Sequence, residues 1–165
     1  MSFFLQVSAG LVLVTLTLSL QSAGMAALIY WARSHFARNL HRIGLWHSAV
    51  LLVRFTIAML ILHMLQILLW AGFYRWKCFP SSESAFYFST ASYSTVGYGD
   101  IVLPLMWRTL GPVESVTGVL MCGLSASLLF AIVTFLVQRE DRYSAEGATP
   151  VEERASAQVH AGRSR

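Results

Sequence analysis

Charged residues are scarce in this sequence. Only 12% of its 165 residues are Asp, Glu, Lys or Arg, whereas 56% are hydrophobic. A soluble domain carries about 25% charged residues, so the shortage indicates a membrane protein. Residues 1–137 hold three acids against seven lysines and arginines, and the remaining tail holds five of each. The whole net charge of +4 therefore belongs to the apolar part of the chain.

The sequence also lacks the groupings that catalysis needs. It has no paired carboxylates, no nucleophile beside a base and no cluster of metal ligands. Its two cysteines, Cys78 and Cys122, lack CxxC spacing and are expected to be isolated thiols, with a cross-link between subunits through Cys78 as the alternative. No GxGxxG motif occurs, and no basic face interleaved with aromatics suits nucleic acid. We expect neither an enzyme, nor a cofactor, nor a nucleic-acid partner.

Three apolar runs are long enough to cross a bilayer core of about 30 Å. They predict transmembrane helices over residues 1–31, 48–73 and 112–137. Residues 32–47 carry three Arg and three His, so the positive-inside rule predicts a basic cytoplasmic loop or interfacial helix there. The N-terminus is then outside, and residues 138–165, which lack an apolar period, are expected to be a disordered cytoplasmic tail.

A shorter element is predicted between the second and third spans. Pro80 breaks the chain, Ser81 or Ser82 can cap a helix, and Glu83 suits its positive first turn. A helix over 82–93 is too short to span, so we expect it to enter the membrane and stop inside it. The predicted fold class is an all-α membrane protein with three transmembrane helices and this re-entrant helix between the second and third.

The stretch that follows is Thr95-Val96-Gly97-Tyr98-Gly99-Asp100. Gly97 and Gly99 adopt positive φ without a steric penalty, which Val96 cannot do cheaply. Alternating handedness along such a segment turns successive carbonyls to the same side. The first four carbonyls, with the threonine hydroxyl, would then form a ladder of oxygen ligands for a cation. One chain cannot enclose an ion, but several around a symmetry axis can.

TVGYGD resembles the selectivity-filter signature of potassium channels. Residues 48–137 resemble the two-helix pore module of that family, with an outer helix (48–73), a pore helix (82–93), a filter (95–100) and an inner helix (112–137). The resemblance implies a homotetramer that conducts K⁺ passively across the cell membrane, plasma or inner, in contact with lipid. It does not cover the N-terminal helix. A weakly selective cation channel, or a non-conducting subunit or sensor with the same fold, remains as an alternative.

The resemblance also implies roles for single residues. Those expected to coordinate K⁺ are Thr95, Val96, Gly97 and Tyr98, with Gly99 completing the filter, Asp100 at the outer mouth and Ser94 at the cavity end of the pore helix. The inner helix of such channels often bends at a glycine. Gly118 is the better positional match and Gly123 the second, and either could instead be a packing site.

The chain departs from the family pattern just before the filter. Members of that family usually have threonines just before the filter, whereas the run here is Ser92-Tyr93-Ser94-Thr95. Ala91 stands where some channels carry a carboxylate that pairs with the filter aspartate. We expect the aromatic residues Tyr87, Phe88 or Trp107 to brace Tyr98 and Asp100 instead.

Three polar residues within the apolar runs need partners. Gln21 is expected to be satisfied inside the bundle. Glu114 either hydrogen-bonds behind the pore helix or favours a helix N-terminus. His63 is either a functional intramembrane ionisable group or a neutral histidine that is hydrogen-bonded to the first or third spanning helix.

Overall fold

The computed structural model describes residues 2–38 and 45–163, and these form helices without any strand. The elements are α1 (Ser2–Arg38), α2 (Leu45–Lys77), α3 (Ser82–Tyr93), a 3₁₀ turn (Leu105–Trp107) and α4 (Leu110–Arg163). Three segments are long and apolar enough to cross a membrane: Phe3–Ser34, Ala49–Lys77 and Leu105–Phe135. The predicted class, an all-α protein with three spans, is confirmed, and the chain is a multi-pass membrane protein.

The spanning helices are longer than the sequence predicted. The segment 32–47 was predicted to be a basic loop or an interfacial helix, and part of it belongs to α1 and α2, while residues 39–44 lie outside the described residues. The tail 138–165 was expected to be disordered, but α4 continues through it to Arg163. Lengthening an existing helix avoids the cost of a new nucleus, which applies to both extensions. Residues 138–163 are also rich in the good helix formers Ala, Arg, Glu and Gln, although they include Pro150.

The chain divides into two units, Met1–Ser127 and Leu128–Arg165. Within its described residues, the second unit is the C-terminal part of α4. The candidate site and the side-chain contacts described below belong to the first unit.

The break between α2 and α3 follows from local chemistry. Pro80 disfavours helical backbone in the residue before it, and the last turn of α2 closes with the Cys78 and Phe79 amides donating to the Tyr74 carbonyl at 2.8 and 2.9 Å. The side chain of Ser81 caps α3 by accepting from the Glu83 amide at 3.2 Å. The residues predicted to form a short helix, 82–93, thus form α3.

The first unit packs around a buried aromatic cluster and around buried polar side chains that include Gln21, Gln66 and Glu114. The aromatic cluster comprises Leu13, Trp70, Tyr74, Ala85, Leu103, Trp107 and Leu110. Large apolar side chains such as Leu11 and Leu60 are instead 64% and 63% exposed, as suits helices that face lipid. Lipid tails are as apolar as leucine, so apolar burial does little to choose partners among these helices. Interior hydrogen bonds and close contacts of small residues therefore carry more of the specificity.

Candidate functional site

The segment 95–100 starts from the C-terminal end of α3 and is tied to it by backbone hydrogen bonds. The Thr95 amide donates to the Ser92 carbonyl at 3.0 Å, and the Gly97 amide donates to the Ala91 carbonyl at 3.1 Å. The Ser94 hydroxyl donates to the Thr90 carbonyl at 2.7 Å, and Ser94 remains exposed. The start of the segment therefore follows any movement of the end of α3.

Backbone handedness alternates along the segment. Thr95, Gly97 and Gly99 have φ of 63°, 52° and 80°, while Val96 and Tyr98 do not have positive φ. The two glycines behave as expected. Thr95 was missed because a β-branched residue is the least expected in this region, where holding it costs about 1–3 kcal/mol. No pattern in the sequence signals it, since its neighbours are ordinary turn and strand residues.

The carbonyls of this segment have no protein partner within the described residues. No hydrogen bond reaches the carbonyl oxygens of residues 95–98 or the Thr95 hydroxyl. Val96 is 52% exposed and Tyr98 is 74% exposed in the single chain. Unpaired backbone groups are costly at membrane depth unless they line water or are covered by protein or an ion. The segment thus presents a set of oxygen acceptors to something outside this chain.

One aromatic residue braces the Asp100 end of the segment. The Tyr87 hydroxyl donates to Asp100 Oδ2 at 2.9 Å, and its ring stacks on Tyr98 with centroids 6.5 Å apart and planes at 16°. Of the three aromatics considered, Phe88 instead packs edge-on against Tyr74, and Trp107 against Phe73. The hydrogen bond to Asp100 raises the pKa of Tyr87, so the hydroxyl keeps its proton well into alkaline solution.

Glu114 lies behind α3, fully buried. Its Oε2 accepts from the Tyr74 hydroxyl of α2 at 2.8 Å, and its Oε1 lies 2.6 Å from the Ser89 hydroxyl of α3. Of the two roles expected for Glu114, the structure shows the first, a hydrogen-bonding group behind α3. Ser89 is also 2.9 Å from the Ile67 carbonyl, so this carboxyl joins α2, α3 and α4 at one point.

The two candidate hinge glycines differ sharply in their surroundings. A Cβ on Gly118 would lie 2.2 Å from the Tyr93 carbonyl oxygen, whereas a Cβ on Gly123 would meet nothing within 4 Å. Gly118 is therefore a close-packing site that lets α4 touch the end of α3. Whether either glycine bends the helix stays a prediction.

His63 and Gln21 are both satisfied inside the bundle. His63 Nδ1 lies 2.9 Å from the Tyr93 hydroxyl, so its partner belongs to α3 rather than to the first or third spanning helix. Gln21 is 1% exposed and bonds residues of α2 and α4, as expected. The sequence pattern gave Gln66 no role and singled out Tyr93 only as part of the run that differs from the usual threonines. The roles of Gln66 and Tyr93 could not be read from neighbouring residues, because their hydrogen bonds join helices that are far apart in sequence.

Cys78 is partly buried beside the aromatic cluster, and both cysteines are free thiols in the chain. Burial raises the pKa of the Cys78 thiol from 9.0 to about 11. Less thiolate at neutral pH makes it a poor nucleophile. The proposed cross-link between subunits stays a prediction.

Three spans and a short helix that does not span, followed by an exposed run of acceptor carbonyls, describe a multi-pass membrane protein. A family model described as "ion channel" matches residues 50–135, more than half of the chain. The protein belongs to this ion channel family, which favours a transport function over catalysis and an oligomeric assembly in the membrane. The match leaves out the whole of α1. Neither curated proteins nor solved structures give a match.

Proposed function

We propose that this protein is a potassium-selective channel that conducts K⁺ passively through a pore formed by four identical chains. The observation that carries the proposal is the left-handed backbone at Thr95, Gly97 and Gly99, alternating with Val96 and Tyr98. This alternation suits carbonyls aimed at one axis, and the threonine adopts it despite the steric penalty. Such strain persists only where the surrounding structure imposes it, and it concentrates at functional sites.

The unpaired carbonyls supply the chemistry. Oxygens of residues 95–98 that no protein donor reaches can replace the hydration shell of a dehydrated K⁺. Several such sites in series allow ions to push one another through. The C-terminal end of α3 carries the negative end of its macrodipole, with Ser94 at that point, which favours a cation there. Asp100 at the other end would concentrate cations at the mouth.

One chain contributes one such segment, and an ion needs ligands on all sides. The exposed filter residues, Val96 and Tyr98 above all, suit a surface that is covered by other copies. We therefore propose the homotetramer that the resemblance implies. K⁺ is the transported ion in this proposal, and no cofactor is required.

The proposed orientation places the N-terminus and Asp100 outside, with α4 running toward the cytoplasm of a cell that carries the protein in its plasma or inner membrane. The basic residues near the α1–α2 connection support this orientation: Arg33, Arg38, Arg42 and Arg54. Protease protection of a tag at either terminus, in sealed vesicles whose outer face is the cell's outer face, tests this orientation. An N-terminal tag that is protected from the protease would contradict it.

Reconstituted protein in planar bilayers, under opposed K⁺ and Na⁺ gradients, tests the selectivity. We expect a reversal potential close to that of K⁺. Gly97→Ala should abolish selective current because alanine cannot hold φ of 52° cheaply. Gly72→Ala is the matched control, since this exposed α2 glycine has nothing within 4 Å of an added Cβ. A reversal potential midway between the two ions indicates a weakly selective channel and contradicts the proposal.

The absence of any flux in folded, assembled protein would support a non-conducting subunit instead. Assembly is measured by mass in native lipid discs, where the expected stoichiometry is four chains. Protein that remains monomeric there would also contradict the proposal.

A further inference from the structure

α1 lies entirely outside the family match, yet it reaches the filter region through buried amides. Gln21 of α1 and Gln66 of α2 are 1% and 0% exposed. Gln21 Nε2 donates to the Ser125 hydroxyl of α4 at 3.0 Å, and Gln66 Nε2 donates to Gln21 Oε1 at 2.6 Å. Gln66 Oε1 in turn accepts from the Tyr93 hydroxyl of α3. We call this chain of four side chains the amide relay.

The relay ends on the residue from which the filter segment starts. Tyr93 is the last residue of α3, and its carbonyl lies against Gly118 of α4. The Ser92 carbonyl beside it accepts from the Thr95 amide at 3.0 Å and from the Ser115 hydroxyl at 2.7 Å. A shift of Tyr93 therefore displaces the strained backbone at Thr95 directly.

The polar groups of the relay cannot be exchanged for apolar ones without consequence. An amide buried in the membrane interior has no water to replace a lost partner. Removing one glutamine therefore leaves the groups that it had paired without a hydrogen-bond partner. In return, a network in which every member is paired fixes one arrangement of the helices. Each amide here has partners on other helices, so the network fixes the arrangement of α1, α2, α3 and α4.

The number of hydrogens available at the Tyr93 hydroxyl identifies the tautomer of His63. The Tyr93 hydroxyl has one hydrogen, and Gln66 Oε1 receives it. The contact between His63 Nδ1 and the same hydroxyl at 2.9 Å must then be an Nδ1–H donating to the oxygen. The relay thus determines which nitrogen of His63 carries the proton, and this is a signature that can be observed.

We propose that α1 is a filter-positioning helix, in which Gln21 and Gln66 act as positioning residues that hold Tyr93 and hence the start of the filter. The inference deepens the proposed potassium selectivity of the same site and rests on it for its functional consequence. It assigns a role to the helix that the family match does not cover.

Selectivity of reconstituted variants provides the functional test. We expect Gln21→Leu and Gln66→Leu to lower the permeability ratio of K⁺ to Na⁺ roughly tenfold, within the range for residues that act on a site through packed neighbours. Gln6→Leu is the matched control. Gln6 is also a buried glutamine of α1 and also accepts a hydrogen bond from outside its helix, from the Thr109 hydroxyl in the turn before α4, but it does not belong to the relay. Equal selectivity in the relay variants, the control and the wild type would overturn the proposal.

The second readout does not depend on conduction. Nitrogen-15 NMR of the full-length protein in lipid discs reports the histidine tautomer, with the His63 signal identified by its loss in His63→Asn. We expect Nδ1–H in the wild type and a switch to Nε2–H in Gln66→Leu, because Tyr93 then gives its hydrogen to His63. Gln6→Leu should leave the signal unchanged. An unaltered His63 signal in Gln66→Leu overturns the relay.

The two measurements separate the two proposals. Wild-type protein without potassium selectivity contradicts the proposed function, and the relay is then judged by the tautomer alone. Selective wild-type protein with an unresponsive tautomer contradicts the relay and leaves the proposed function intact.

Discussion

The two ends of the segment 95–100, the proposed filter, are held in opposite ways. At the Thr95 end, Tyr93 is 4% exposed and is fixed by side chains from α2 and by contact with α4. At the Asp100 end, one exposed tyrosine of α3 supplies both the hydrogen bond and the stacking contact. A buried end that is paired with several helices resists deformation. An exposed end gives way more easily when one side chain, besides the adjacent Ile101 amide, holds it. We infer a filter whose Thr95 end is rigid and whose Asp100 end is adjustable.

The largest effect is expected from a methyl group at the rigid end. Gly118→Ala places a Cβ 2.2 Å from the Tyr93 oxygen and 3.0 Å from its carbonyl carbon, so the backbone of α3 or α4 must shift. Overpacking of this kind costs about 1–3 kcal/mol or more. Unfolding temperature in detergent should fall, and selective K⁺ flux should be lost.

Gly123→Ala serves as the control, because the added methyl meets nothing within 4 Å. It should unfold no earlier than the wild type, since alanine in a helix is favoured over glycine by up to about 1 kcal/mol. Wild-type selectivity in Gly118→Ala would show that the Thr95 end is not rigid and would break the comparison.

The next effect concerns Glu114, which supports α3 from behind. The Ser89 hydroxyl lies within hydrogen-bond distance of both the Ile67 carbonyl and Glu114 Oε1, but it has only one hydrogen to donate. A protonated Glu114 carboxyl would pair every member of the cluster, because it would donate to Ser89 and leave the Ser89 hydrogen for Ile67, while Tyr74 donates to Oε2. Glu114→Gln can reproduce this pattern, so we expect near wild-type stability. Glu114→Leu leaves buried hydroxyls unpaired, at about 1–3 kcal/mol each.

Thermal unfolding of the two variants beside Glu83→Gln, an exposed control on α3, measures the difference. Equal loss in Glu114→Gln and Glu114→Leu would indicate that the native group is a charged carboxylate. The support behind α3 would then be electrostatic rather than a set of neutral hydrogen bonds.

Some of this structure could be predicted from local chemistry. The rest depends on how distant helices align, which the sequence does not show. The bounds of α3 follow from Pro80, the Ser81 cap and Glu83, which act within a few residues of each other. The positive φ of Gly97 and Gly99 follows from their lack of a Cβ. The partners of Gln21 depend on how helices distant in sequence align, which no local pattern encodes. The sequence likewise carries no sign that Thr95 adopts the left-handed region, since tertiary contacts impose it.

The end of α4 shows a different limit of sequence reasoning. The composition of residues 138–165 lacks an apolar period, which favoured a disordered tail, yet it is rich in helix formers. An apolar period reports whether a helix has a face to bury, not whether the backbone is helical. A helix that is already formed in the membrane needs no such face to continue.

The smallest effect is expected at the adjustable end. Tyr87→Phe removes the hydrogen bond to Asp100 and keeps the ring that stacks on Tyr98. Because the lost contact is exposed, the unfolding temperature should not change. The time course of K⁺ current should change instead, with a severalfold faster decline during sustained opening. Tyr30→Phe, at an exposed tyrosine of α1, is the control and should match the wild type.

The pH dependence of that decline sharpens the comparison. The pKa of Tyr87 is raised above its ordinary value of 10.0 by the bond to Asp100, so the stabilising contribution is complete below pH 10 and is lost only as pH rises through the raised value. Wild-type current should therefore decline at one rate between about pH 7 and 9 and faster at higher pH, whereas Tyr87→Phe should decline fast throughout. Equal rates in the two proteins at neutral pH would mean that Tyr87 does not hold Asp100. The Asp100 end would then be fixed by neighbouring chains, as rigidly as the Thr95 end is fixed by its own.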